Sequence, residues 1–196
     1  MRRKKVLLNS NCTINPNSIN IIKGENGIGK STLLHLITGL IQPDSGTITV
    51  GGIDAGLFFA SSSPVTMFYL PQEDMALGIT ANEMYEMALN ENRHKAEAIA
   101  IQFGLAETTL TDTVISNLSG GERKKVYLSL AFALQPQILL LDEPTNSLDD
   151  ASKKLLSQLL AERSGGAMII THDTVLDPIG QEFYRVKDGN VYHEIC

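Results

Sequence analysis

The sequence predicts an α/β fold, a mostly parallel sheet with helices on its faces, and three observations carry that reading. Short apolar runs alternate along the chain with longer segments of helical period. Ile138 to Leu141 is a continuous apolar run bounded by Pro136 and Pro144, the pattern of a central parallel strand. A glycine-rich turn, Gly24 to Gly29, lies between the first such run and the first helical segment.

The elements follow in order. Ile19 to Ile22 reads as a buried strand interrupted by Asn20. From Ser31 the period changes: Leu33, Leu34, Leu36, Ile37 and Leu40 fall on one helical face, and Pro43 lies beyond the stop. Thr47 to Val50 reads as a strand closed by Gly51 and Gly52, and Val65 to Leu70 as another ending at Pro71. Residues 73 to 118 are predicted to be mostly helical. Within them, Thr80-Ala81-Asn82-Glu83 is a capping-box pattern, and a second helix runs from Arg93 to Phe103 and stops at Gly104. Ser119-Gly120-Gly121-Glu122 is another capping box, opening a helix to about Leu134. A helix from about Asp150 to Ala161 and a strand from Ala167 to Ile170 come next. Glu182 to Val186 and Asn190 to Glu194 flank Asp188-Gly189 as a closing hairpin. The expected organisation is one domain, residues 1–196. Its core covers about 1–72 and 134–196, with a helical lobe inserted at about 73–133.

Composition narrows the function classes. The 196 residues are 43% hydrophobic and 19% charged, enough apolar surface for a real core and too much for disorder. A net charge of −6 disfavours a nucleic-acid tracker, whose affinity comes from Lys and Arg on phosphates. Arg2, Arg3, Lys4 and Lys5 are a local exception; a run of this kind is usually a solvated face, although it can also touch anionic lipid or a partner. Two cysteines, Cys12 and Cys196, give neither a disulfide framework nor a zinc site, which fits a reducing cytoplasmic setting. No apolar run approaches the roughly 20 residues of a membrane span, so any contact with a membrane is expected through a partner.

The chemistry concentrates in two motifs. Gly24-Glu25-Asn26-Gly27-Ile28-Gly29-Lys30-Ser31 matches the phosphate-loop pattern. Glycines let successive backbone N–H groups turn inward around phosphates, and the following helix, through Thr32, points its positive end at the anion. In this reading Asn26 to Gly29 cradle the phosphates, Lys30 reaches the β- and γ-phosphates, and the Ser31 hydroxyl ligates Mg²⁺. Ile138 to Glu143 supplies the second half: an apolar strand delivers Asp142 and Glu143 to the carboxyl edge of the sheet. Asp142 is expected in the Mg²⁺ shell. Glu143, facing another way, is expected to polarise the attacking water.

Leu118-Ser119-Gly120-Gly121-Glu122, together with Asp142-Glu143-Pro144-Thr145 and the downstream Asp149 and His172, resembles the ATP-binding cassette family over nearly the whole chain. The resemblance implies a phosphate-loop nucleotidase core with an N-terminal antiparallel β portion and the inserted helical lobe. It implies that Gln72 approaches Mg²⁺ and water and links core to lobe, that Ser147-Leu148-Asp149 crosses a dimer interface, and that His172 meets the γ-phosphate. Ser119, Gly120 and Gly121 would cap the γ-phosphate held by a partner cassette. The implied function is the ATPase subunit of a transporter, with ATP and Mg²⁺, a second cassette, which can be the same chain or a different one, and separate transmembrane subunits, at the cytoplasmic face of the cell membrane.

The sequence departs from the family in lacking any Phe, Tyr or Trp before Phe58, where an adenine-stacking aromatic is usual. Either base stacking is weak, or Arg2 or Arg3 covers the ring by cation–π contact. The alternative function is a soluble cassette acting on nucleic acid or ribosomes. The short interval between phosphate loop and signature, the absence of CxxC, the single phosphate loop and the acidic balance all count against it.

Overall fold

The computed structural model describes residues 7–8, 10, 12–50, 52–57 and 66–194. In chain order the elements are β1 (Ile19–Lys23), α1 (Lys30–Ile37), β2 (Thr49–Val50), β3 (Ile53–Asp54), β4 (Met67–Leu70), α2 (Ala81–Leu89), α3 (Arg93–Gln102), α4 (Glu107–Asp112), α5 (Gly120–Leu134), β5 (Ile138–Asp142), α6 (Asp150–Glu162), β6 (Gly166–Ile170), β7 (Glu182–Lys187) and β8 (Asn190–Glu194). The main sheet has six strands in the order β4-β5-β6-β1-β7-β8. All pairs are parallel except β7 with β8. A two-stranded antiparallel sheet, β2 with β3, stands apart. Because β1, β4, β5 and β6 run the same way, their carboxyl ends share one edge, where open α/β sheets hold their ligands.

Each strand divides its residues between two cores by the period of two that a pleat imposes. Ile22, Leu140, Met168 and Ile170 meet Leu34 and Ile37 of α1 and Val50 of β2 on one face. Ile21, Leu139, Leu141 and Ile169 meet Val126 and Leu128 of α5 and Leu156 and Leu160 of α6 on the other. Both faces are covered, so β5 had to be apolar without interruption.

Both predicted capping boxes form. Thr80 Oγ1 accepts from the Glu83 amide at 3.2 Å, and the Thr80 amide donates to Glu83 Oε2 at 2.7 Å. Three expectations need correction. Helix α1 stops at Ile37, so Leu40 lies past the turn at Thr38–Gly39 and is 61% exposed instead of packed. The strand expected from Thr47 is paired only at Thr49–Val50. The stretch 73–80, at the start of the segment expected to be mostly helical, is irregular and bent, and α5 holds it there: the Tyr127 hydroxyl donates to Met75 O at 2.8 Å. Of the strand expected over Val65 to Leu70, Met67–Leu70 is seen; Val65, Gly51, Cys196 and the Arg2–Lys5 cluster, with its postulated contact to adenine, lie outside the described residues.

Candidate nucleotide site

Four predicted features converge on the carboxyl edge: the glycine loop after β1, Gln72 after β4, Asp142 and Glu143 at the end of β5, and His172 after β6. In the loop, Gly27 and Gly29 take φ of 73° and 118°, angles that a side chain resists and that turn backbone amides inward. Gly29 is the N-cap of α1, no side chain caps that helix end, and its first-turn amides face the loop unopposed by a capping group. Asn26 and Gly27 are exposed; Ile28, Ser31 and Thr32 are half-buried.

Lys30 is buried, and its ammonium donates to Gly24 O at 2.7 Å and Glu25 O at 3.0 Å. Burial pulls it below the ordinary lysine range, while the carboxylates of Glu143 and Asp142 act in the opposite direction. Its third contact is His172 Nε2 at 3.1 Å. The Glu143 carboxylate adjoins the same imidazole, 3.5 Å from Nε2, and takes the His172 amide at 3.4 Å. Lys30, His172 and Glu143 therefore form one contiguous set beside the loop. A cleft of about 500 Å³ opens next to them, lined among others by Gly24, Glu25 and His172.

The two acidic neighbours point apart, as a pleat requires. Asp142 is buried on the α1 face, where it adds to the burial that pushes the Tyr69 hydroxyl up to about 12. Glu143 leaves the strand with φ of 49° just ahead of Pro144, while its amide still donates to Ile170 O at 2.8 Å. A non-glycine residue in that region, and before proline, carries strain of order 1–3 kcal/mol. The strain aims the carboxylate at His172.

Among the described residues, no three His, Cys, Asp or Glu side chains gather into a metal cage. The donors fit a different mode. Mg²⁺ bound with a nucleotide takes one or two carboxylates and a hydroxyl, with phosphates and water completing the shell. Asp142 and Ser31, at facing ends of β5 and α1, suit that set.

Ser119, Gly120 and Gly121 stand elsewhere. No hydrogen bond among the described residues joins them to the loop. Ser119 Oγ donates to Glu122 Oε2 at 2.7 Å, and the helix start lies against Ser147 of the same chain. Gln72 is exposed, with its carbonyl held by Lys124 at 3.2 Å. Sequence reasoning missed Lys124 and Asp74; the usable signal was that Lys124 shares a helical stripe with the buried Leu128 and Ala131.

The Glu122 carboxylate, bonded to the Ser119 hydroxyl and amide, is held below the usual range. A lowered folded value contributes stability above the unfolded pKa and loses it as pH falls through the folded one. The stability gap between wild type and Glu122→Gln is therefore expected to narrow between about pH 6 and about pH 3, read by urea unfolding across that series.

A glycine-turned loop, a buried lysine and a strand-end carboxylate pair define a nucleotide-binding ATPase. Comparison narrows the class. Residues 7–146 match the family model described as ABC transporter. The chain is 35% identical over 179 residues to a putative ABC transporter ATP-binding protein of Methanosarcina mazei, covering 87% of this chain and 62% of that protein. It is 32% identical over 200 residues to the ABC transporter ATP-binding protein YtrE of Bacillus subtilis, covering 94% and 86%. The thiamine import ATP-binding protein of Salmonella typhimurium is 34% identical over 165 residues, covering 77% and 68%. Among solved structures, the dimeric form of a bacterial ABC transporter cassette superposes with a TM-score of 0.81 at 27% identity, covering 96% of this chain and 90% of that one. A post-hydrolysis dimer bound to ADP and Pi gives 0.78 at 27% identity, with the same coverage. The chain belongs to the ABC transporter ATP-binding family and is an ABC ATPase. No helix among the described residues is long and apolar enough to cross a membrane.

Proposed function

We propose that this chain is the motor of a transporter, hydrolysing Mg²⁺-ATP between two cassettes and passing the resulting motion to separate transmembrane subunits. The observation that carries the reading is the Lys30, His172 and Glu143 set beside the loop, with 3.1 Å and 3.5 Å separations at one imidazole. Asn26 to Thr32 hold the phosphates through amides, and Lys30 exchanges its loop carbonyls for phosphate oxygens. Asp142, Ser31 and Gln72 hold Mg²⁺, which when bound neutralises charge on the β- and γ-phosphates. Glu143 takes the proton of the attacking water, and His172 orients the γ-phosphate. Ser119, Gly120 and Gly121 face the nucleotide of the opposite cassette with the amino end of α5.

In this reading ATP is the differential contact between a joined and a parted pair, and loss of the γ-phosphate releases it. The helices between Gln72 and Leu134 act as a lobe on a core formed by the remainder. The site of action is the cytoplasmic face of the cell membrane, without nucleic acid. Structural similarity to dimeric cassettes supports the pairing.

The test combines phosphate release, ATP-dependent mass by light scattering, and co-purification with membrane protein. Wild type is expected to hydrolyse ATP, to double its mass with ATP, and to bring a membrane protein with it. Lys30→Ala is expected to lose both ATP binding and hydrolysis. Hydrolysis that persists in Lys30→Ala, or a chain that stays monomeric with ATP and finds no membrane partner, sinks the reading.

A further inference from the structure

Lys124 sits in the second turn of α5 and is 2% exposed. Its ammonium lies 2.9 Å from Asp74 Oδ1, 3.3 Å from Pro71 O and 3.2 Å from Gln72 O. The ammonium donates to the two carbonyls and lies at ion-pair distance from the carboxylate. The Asp74 side chain is itself only 7% exposed, and burial pushes its carboxyl up against the pull of Lys124. Three positions along the helix, the Tyr127 hydroxyl donates to Met75 O at 2.8 Å. These anchors on residues 71–75 thus come from one face of one helix, and that helix begins at Ser119–Gly121.

A buried ion pair is a poor device for stability alone, since an apolar pair of the same volume often does as well or better. The best-attested use of such a pair is registration, since the charges favour the one alignment in which they meet. The pair also spans fifty residues of sequence and ties the loop after β4 to the signature helix instead of to the sheet.

We propose that Lys124 is a positioning residue, which through Asp74 and the carbonyls of Pro71 and Gln72 locks the Gln72 segment to α5. The Gln72 side chain and the Ser119–Gly121 tip then move as one unit, so the contact to a chain's own nucleotide and the contact to its partner's are made or broken together. The functional half of this rests on the Gln72 role proposed above.

The test uses the full chain and the double variant Lys124→Met/Asp74→Leu, which fills the same space without charge, beside Lys124→Met alone. Amide exchange at residues 72–75 is measured without nucleotide, followed by kcat, the KM for ATP, and the Mg²⁺ concentration for half-maximal rate. The double variant is expected to keep a wild-type urea midpoint while amides 72–75 exchange about tenfold faster or more. Its kcat is expected to fall about tenfold, with the KM for ATP within about twofold and the Mg²⁺ requirement raised. A purely structural pair moves the urea midpoint and not this split. Should Lys124→Met fail to fold, the double variant decides. Wild-type exchange in the double variant overturns the lock. Gln72→Ala separates the two readings: if it leaves kcat unchanged, the Gln72 role fails and the exchange rates alone judge the lock. If Gln72→Ala lowers kcat and the double variant does not, the positioning role is overturned.

Discussion

Glu143→Gln is expected to slow ATP hydrolysis by about 10²–10⁴-fold while ATP binding survives. The substitution keeps the size of the side chain and the backbone contact from Glu143 to Ile170 O at 2.8 Å, so the end of β5 has no reason to move. Glutamine tolerates the φ of 49° no worse than glutamate. What changes is the loss of a proton acceptor beside His172, and of one of the two carboxylates acting on Lys30. Lys30 keeps Asp142 as an acidic neighbour and its own two loop carbonyl contacts, so its place beside the phosphates is preserved. With binding intact and turnover blocked, the ATP-bound dimer is expected to accumulate. The measurement is single-turnover phosphate release alongside equilibrium nucleotide binding and light scattering, for wild type and variant. If the variant hydrolyses ATP at the wild-type rate, water is activated by another group, and His172 is the first to examine because it lies against Glu143 with 48% of its side chain exposed.

Much of this architecture is legible in the sequence because burial on both faces leaves a strand little choice. Ile138 to Leu141 reads correctly since each of its side chains is covered, whether by α1 or by α5 and α6. The two capping boxes are legible because they are local, each settled within four residues. What escapes reading is set by distant contacts. Residues 73–80 have enough apolar character for a helix, yet α5 holds them through Tyr127 on the Met75 carbonyl and Lys124 on the Asp74 carboxylate, side chains about fifty residues further along the chain. Leu40 follows the helical period but comes after Gly39, so the backbone departs before the pattern does. The residue types of the site are local and readable. Its geometry is less so: the sequence Asp142-Glu143-Pro144 contains no sign that Glu143 enters the left-handed region, which proline ordinarily discourages in the residue before it.

The edge also explains why one short segment touches so much. Residues 143–149 begin at the carboxylate beside His172 and end at Asp149, which caps α6 through the Ser152 amide at 2.9 Å and pairs with Lys125 of α5 at 2.6 Å. Thr145 and Leu148 are buried between. The same seven residues therefore tie the chain's own nucleotide edge to the helix that carries Ser119–Gly121. Together with the 71–75 segment held by Lys124, α5 is fastened at its start to two of the loops that leave the sheet edge.

A single methyl group at Gly121 is accordingly expected to cut hydrolysis about 10²-fold while a lone chain still binds ATP. A Cβ there would fall 2.5 Å from Ser147 O, a backbone atom with nowhere cheap to go. Ser147 already holds φ of 65°, the Leu148 amide is tied to Thr145 O at 3.2 Å, and Asp149 is fixed from both sides. Relief must come from a shift of roughly 1 Å, either in the tip of α5 or in the turn leading back to Glu143, and a displacement of that size at a reacting centre costs about 10²-fold. Alanine favours a helix over glycine by about 1 kcal/mol, so helix propensity alone argues against unfolding and for a folded, impaired enzyme. The check is kcat with nucleotide affinity for Gly121→Ala, and then for Gly121→Ala/Ser147→Gly. Removing the side chain at residue 147 frees its backbone to turn away, so the double variant is expected to recover part of the rate. Wild-type turnover in Gly121→Ala refutes the close-packing account. A slow single variant with no recovery in the double variant moves the cause from the contact with Ser147 to the signature turn itself.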